Sequence, residues 1–294
     1  MPRVSVIIPA HEAHITLPRC LACLGSQSFM DFETIVVDSG PRPSLEDSGA
    51  TALRLRVLRS RETLLAHTAS NRAAAVADGE LLAFLDADAY ASPGWLAGLV
   101  EAWKREGGVV MGGVACYGSR WIDRGAHFAK FDKWLPGLAP RRLTDAATVN
   151  LLMARSQFED VGPFLEGSMH ADTDLSWRLR GAGVPLSLVP NAVVEHHHRH
   201  SLASLWGERR RRGRSFSDLW MHWNRPSRIR LAARGVISAL PLRLVSQTVR
   251  VSRNAMEAGE LPALIVTLPV VIGGLYAWLL GESAGYLRGA LRSR

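Results

Sequence analysis

Lysine is scarce in this 294-residue chain: only Lys104, Lys130 and Lys133 occur among its 35 basic residues, so the net charge of +8 is carried by arginine. The arginines crowd into the second half, and such asymmetry points to a polyanionic or membrane-surface partner. Arginine alone is a thin basis for nucleic-acid binding, and the apolar residues beside it explain the charge better. Cysteine is equally sparse. Of three, Cys20 and Cys23 share one predicted helix and lack the second pair a zinc site needs, which argues against a disulfide scaffold and a zinc ribbon. No basic leader with a cleavage site precedes the first apolar run, so a cytoplasmic protein is expected. Internal repeats are absent. Long apolar runs are rare too, with one exception: Leu261 to Gly281 carries no charge and is long enough to span a bilayer, although Pro262, Pro269 and Gly273-Gly274 weaken it as a helix. The segment before it, Ile229 to Val249, is apolar but holds Arg230, Arg234 and Arg243, which suits an amphipathic helix lying in a membrane interface.

The first half alternates short β-branched runs with helical stretches. Val4 to Pro9, Thr34 to Asp38, Leu55 to Leu58, Leu81 to Asp86 and Val109 to Ala115 read as strands, and this alternation predicts a parallel sheet with helices on both faces. The first and fourth runs are almost continuously apolar, as strands covered on both sides are. Between Arg120 and Ala147 no clean period emerges, so a lid or acceptor-facing segment is expected. Structure resumes at Thr148 to Ala154, followed by a helix from about Asp172 to Ala182 and a strand pair leading to His196.

Phe84-Leu85-Asp86-Ala87-Asp88 is the strongest local signal, because two carboxylates two residues apart at the end of a buried strand can face one hard divalent cation. Ligands bind at the carboxyl ends of parallel strands, which places Asp38 at the same crevice. Three carboxylates repel a diphosphate unless a metal intervenes, so Mn²⁺ or Mg²⁺ is inferred as the bridge. Taken alone, the same residues could simply end a strand and begin a turn. Farther on, Glu195-His196-His197-His198-Arg199-His200 follows an apolar strand whose alternation puts His196 and His198 on one face. An imidazole there could supply a third ligand.

These residues resemble the inverting family 2 glycosyltransferases over roughly residues 2 to 216. Val4 to His11 looks like the opening nucleotide-binding strand and Ile35 to Gly40 like the strand whose aspartate holds the base. Asn71-Arg72-Ala73, Gly79-Glu80 and Asp86-Ala87-Asp88 follow in the family's order, then Asn150 to Arg155, Val161 to Phe164 and Asp172 to Leu179. The resemblance implies an α/β, GT-A (nucleotide-diphospho-sugar transferase) fold with a mostly parallel central sheet over residues 1–220, plus a helical, membrane-associating tail over 221–294. It implies donor contacts from Pro9, Ala10, Glu12, Asp38, Asn71 and Asp86, with Asp38 at the nucleobase and Asp86 at the nucleoside. It further implies metal ligation by Asp88 and His196, and Asp172 as the base at the acceptor hydroxyl. Asn150, His198 and Arg214 stand as acceptor or phosphate contacts. The family's Asn-Glu after the first strand appears here as Glu12-Ala13, and Ala171-Asp172 replaces its Glu-Asp pair.

The implied reaction is metal-dependent transfer of a sugar, with inversion, from a nucleotide diphosphate donor to a glycan or lipid-linked acceptor, at the cytoplasmic face of a membrane. Inversion needs one protein carboxylate for proton chemistry while a metal handles the leaving group. The rival is a binding or scaffold protein with a decayed site, for which Ala171 is the best support. Asp172 also has a plainer role open to it, as a helix N-cap.

Overall fold

The computed structural model describes residues 3–45 and 54–292. In chain order its elements are β1 (Val4–His11), α1 (Leu17–Gly25), β2 (Phe32–Ser39), β3 (Leu55–Ser60), α2 (Ala66–Ala74), β4 (Leu81–Leu85), β5 (Ala89–Ala91), α3 (Trp95–Glu106) and β6 (Val109–Cys116). There follow α4 (Trp121–Phe131), β7 (Arg141–Arg142), β8 (Asn150–Ala154), α5 (Arg155–Val161), α6 (Ala171–Gly181), β9 (Leu186–His196), α7 (Leu202–Asn224), α8 (Arg228–Ala239), α9 (Pro241–Glu257) and α10 (Leu261–Arg292).

The chain forms two compact units. One comprises Met1–Tyr117, Pro136–Gly167 and Ala171–His197, and the other Gly118–Leu135, Ser168–His170 and His198–Arg294. The division departs from the boundary expected near residue 220, because α7 packs on α10 and so belongs with the C-terminal helices.

The first unit is built on a sheet ordered β3-β2-β1-β4-β8-β6-β9-β5, with β7 beside β9. Its β3-β2-β1-β4 half is parallel, whereas β8 runs antiparallel to both β4 and β6. Every residue of β2 is buried, which accounts for its apolar centre Ile35-Val36-Val37 and requires that Glu33 and Asp38 be paired. Polar groups inside this half are paired. Ser5 donates to Glu33 Oε1 at 2.6 Å and accepts from Gly79 N at 2.9 Å, while Asp78 N donates to the same Glu33 oxygen at 2.7 Å. Gly79 has to be glycine here, since a Cβ would sit 2.6 Å from the Ser5 backbone nitrogen. The expected strand pair before His196 is a single 11-residue strand, β9. Its pairing with β6 shifts register between Gly112 and Gly113, and this irregularity lets one strand do the work of two.

In the second unit, α10 runs alongside α7. Glycines make the approach possible: a Cβ at Gly213 would collide with the Trp278 carbonyl, one at Gly281 with the Arg210 carbonyl, and one at Gly285 with Ser217 Oγ. Ala126, Leu205 and Val270 form a small core between α4, α7 and α10. Two corrections to the sequence reading follow. Residues 120–147 are no simple loop, since α4 and a 3₁₀ turn at Asp132–Trp134 lie within them. The expected interfacial helix at 229–249 is two helices, α8 and α9, broken at Leu240-Pro241. Proline cannot donate the hydrogen bond that would continue α8, and it opens α9 instead.

Candidate active site

The Asp86-Ala87-Asp88 turn lies between β4 and β5. Ala89 N donates to Asp86 O at 3.0 Å, closing the turn, and β5 then pairs antiparallel with the end of β9, so that Ala89 stands opposite His196. His197 N donates to Asp88 O at 2.8 Å and locks the two segments together. The result is a compact ligand group. His196 Nε2 lies 3.4 Å from Asp88 Oδ1 and 3.8 Å from Asp86 Oδ2, and one ligand atom from each of the three residues falls within 4.8 Å of the others. His196 is buried and the two carboxylates are half-exposed, giving a site that is closed beneath and open above. Two carboxylates and an imidazole so arranged fit a divalent cation that keeps open coordination positions. Asp86, expected at the nucleoside, lies in the same group as Asp88 and His196. Beneath it, Cys20 points its Sγ at Asp86 O, 3.8 Å away. Burial pushes that thiol well up, with Cys23, Asp88 and Asp86 adding to the effect, so it stays protonated and is no thiolate ligand.

Pro9 and Ala10 end β1 beside Val37 and Asp38 of β2. Glu12 turns the chain with φ 47° and is exposed, while His11 Nδ1 meets Ser39 O at 2.9 Å. Asp38, expected at the nucleobase, has both carboxylate oxygens bonded within the chain. Oδ1 accepts from Ser44 Oγ at 2.7 Å, Oδ2 from Ser44 N at 2.7 Å, and Arg59 Nη1 donates to Oδ2 as well. The side chain is buried. It therefore fixes the loop after β2. Arg59 was not legible in the sequence as a partner, since only the β2–β3 register sets it beside Asp38.

Asn71 is likewise committed. Its Oδ1 accepts from Phe164 N and its Nδ2 donates to Phe164 O, both at 2.9 Å. The same loop is held from α6 by Arg178, which donates to the carbonyls of Val161, Gly162 and Pro163 while paired with buried Asp174 at 2.9 Å. Three motifs far apart in sequence thus converge on one loop. The Asp174–Arg178 pair is part of this clasp, its carboxylate inside. Asn150 is also structural. It is fully buried, accepts from Trp95 Nε1 at 2.7 Å and donates to the carbonyls of Gly113 and Ala192 at 2.9 Å each. Both of its N–H groups are used inside the protein.

Asp172 is the second residue of α6. Its Oδ1 accepts from Thr173 N at 2.8 Å, and Oδ2 is uncommitted among the described residues. An N-cap would bond the N–H groups two or three residues on, so this carboxylate is oriented by its neighbour instead. His198 and Arg214 belong to the second unit. His198 is buried with Nε2 3.0 Å from His127 Nδ1, and Arg214 is exposed on α7.

A family model described as "Glycosyl transferase family 2" matches residues 5–161. The chain is 27% identical over 233 residues to glycosyltransferase AglE of Haloferax volcanii, with 75% of each chain covered. It is 26% identical to a validoxylamine A glucosyltransferase of Streptomyces hygroscopicus subsp. jinggangensis, over 64% of this chain and 54% of that protein. Among solved structures, a mannosyltransferase of Pyrobaculum calidifontis in complex with GDP-Man and Mn²⁺ superposes with TM-score 0.56 at 18% identity, over 92% of this chain and 87% of that one. This likeness shows that the chain has the GT-A fold.

Proposed function

The chain belongs to glycosyl transferase family 2 and is a glycosyltransferase, and from that premise we propose an inverting, metal-dependent transfer of a sugar from a nucleotide diphosphate donor to an acceptor hydroxyl. The observation that carries this reading is the grouping of Asp86, Asp88 and His196 at one strand end. Its mixed oxygen and nitrogen donors favour Mn²⁺ over Mg²⁺, which prefers oxygen alone. The solved mannosyltransferase, which holds Mn²⁺ beside its nucleotide sugar, supports the same choice. When bound, the ion supplies positive charge to a leaving diphosphate.

The rest falls to the chain. Asp172 takes the proton of the acceptor hydroxyl through Oδ2, while Oδ1 is held by Thr173 N. The acceptor oxygen forms its bond to the anomeric carbon as the bond to the diphosphate breaks, and the diphosphate leaves with the electron pair. Pro9, Ala10 and Glu12 line the donor side at the end of β1, and Asp38 contributes by shaping the Ser44 loop beside it. The clasp of Asn71 and Arg178 fixes the loop that precedes Asp172 on the acceptor side. A glycan or lipid-linked acceptor in cell-envelope synthesis, met at the cytoplasmic face of the membrane, suits the basic, apolar second unit. The three cysteines form no disulfide, in keeping with a reducing compartment.

The test is metal removal. Excess EDTA is expected to abolish transfer and Mn²⁺ to restore it, while Asp88→Ala weakens both Mn²⁺ and donor binding by calorimetry. Full transfer in EDTA would sink the proposal.

A further inference from the structure

The C-terminal helices bury one apolar face and expose another. On α9, Leu242, Val245, Val249 and Met256 recur at helical spacing and point outward, with Leu242 75% exposed. Opposite this stripe Val251 and Ala255 are buried, and polar groups beside them reach into the protein. Arg250 makes a two-pronged contact with buried Asp132 at 3.0 and 3.1 Å, Asn254 donates to the same carboxylate at 2.9 Å, and Arg243 reaches fully buried Glu282 at 3.6 Å. Helix α8 repeats the pattern with Ile229, Val236, Ile237 and Leu240 outward, Ile229 being 84% exposed. On α10, Ile265, Pro269, Ile272 and Tyr276 form a third outward stripe along the first half of the helix, and Leu287 and Leu291 are exposed near its end. An apolar surface of this extent facing water marks a binding surface, and its chemistry is that of an acyl boundary.

Two features name the occupant. The exposed charges on α8 and α9 are Arg228, Arg230 and Arg253 against Glu257 alone, so the stripes are flanked by cations that complement anionic headgroups. The second feature is what sheathes α10. This helix meets the length and composition of a membrane span, but from Gly274 onward it lies against α7 through Gly213, Gly281 and Gly285. Helix α7 exposes Arg210, Arg211, Arg214 and Asp218 on successive turns of that stretch. A spanning α10 would drag these charges into hydrocarbon, where each is costly.

We propose, on the reading that this protein works at a membrane, that the second unit is monotopic: the outward stripes of α8, α9 and the first half of α10 rest in an anionic lipid surface, and α10 does not cross it. The full chain is expected to sediment with vesicles containing one third phosphatidylglycerol and to bind pure phosphatidylcholine at least tenfold more weakly. Val245→Asp with Val249→Asp, both at outward positions, is expected to lower vesicle affinity at least tenfold while leaving the circular dichroism and melting temperature unchanged.

Topology is read on sealed inverted membrane vesicles from cells making the full chain with a tag at each end. External protease should remove both tags. One tag protected would overturn the monotopic assignment while leaving membrane association intact, whereas no binding to any vesicle would remove the membrane reading itself. If the double variant binds vesicles normally and instead turns a dimer into a monomer, a second copy of the chain is the occupant and the proposal fails.

Discussion

The two units resolve the same problem, how to place charge in a folded chain, in opposite ways. In the first, apolar strands fill the interior, buried polar groups such as Ser5, Glu33 and Asn150 are fully bonded, and half-exposed carboxylates gather only at the Asp86-Ala87-Asp88 turn. In the second, arginines reach inward to Asp132 and Glu282 while Leu242, Val245 and Val249 face out. The first arrangement is what water selects, and the second fits a surface that is partly lipid. Buried carboxylates in both units are paired and hold segments together, and in the first unit Asp86 and Asp88 are left half-exposed at the candidate site.

The sharpest test of that contrast changes one charge of the first kind. Asp172→Asn keeps the shape and the bond from Thr173 N but cannot take a proton. Turnover should fall by roughly two to four orders of magnitude, the usual worth of a general base, with nucleotide-sugar affinity unchanged. Near-normal transfer would leave Asp172 a structural residue like those of the second unit. The matching change there is Arg250→Met, which strands buried Asp132 with Asn254 as its remaining partner. Stability should drop by about 3 kcal/mol, the low end for leaving a buried charge unpaired, read as a lower denaturation midpoint, while the activity of the folded fraction stays normal. Loss of activity without loss of stability would break the division of labour.

Asn71→Ala is a smaller change. It removes two bonds to Phe164, so about 1–3 kcal/mol of stability is expected to go, with a raised acceptor KM and an unchanged donor affinity. A selective loss of donor affinity would return Asn71 to the nucleotide. The smallest effect concerns Glu208. Burial pushes its carboxyl up, but Lys130, Arg212, a Lys130 hydrogen bond and His200 together outweigh this and hold it at about 2. A folded-state value below the unfolded one stabilises at neutral pH. That contribution is lost as pH falls from the ordinary carboxylate range toward 2. Glu208→Gln should flatten the acid limb of the stability curve over that interval, and an unchanged limb would show that the Lys130–Glu208 pair contributes nothing.

Some of this was written in the chain. The continuously apolar runs at Val4 and Leu81 fix buried strands because both faces of such strands are covered, and the Asp86-Ala87-Asp88 turn stands out because two carboxylates at a buried strand end can face one cation. Ordered motifs spread over residues 2 to 216 placed the chain in its family. At Asn150, Asn71 and Asp38 residue type does not say how each side chain is engaged, because its partners, 6 to 95 residues away, are assembled only by folding. The break at Leu240-Pro241 was readable from proline, but which face of α9 turns outward was not, since an amphipathic helix shows two faces and its sequence does not say which one meets the protein. The tertiary structure decided that by bringing Asp132 and Glu282 to the arginine face. It also decided that Asp86, Asp88 and His196 form one group, because the antiparallel pairing of β5 with β9 carries His196 across more than a hundred residues to the end of β4.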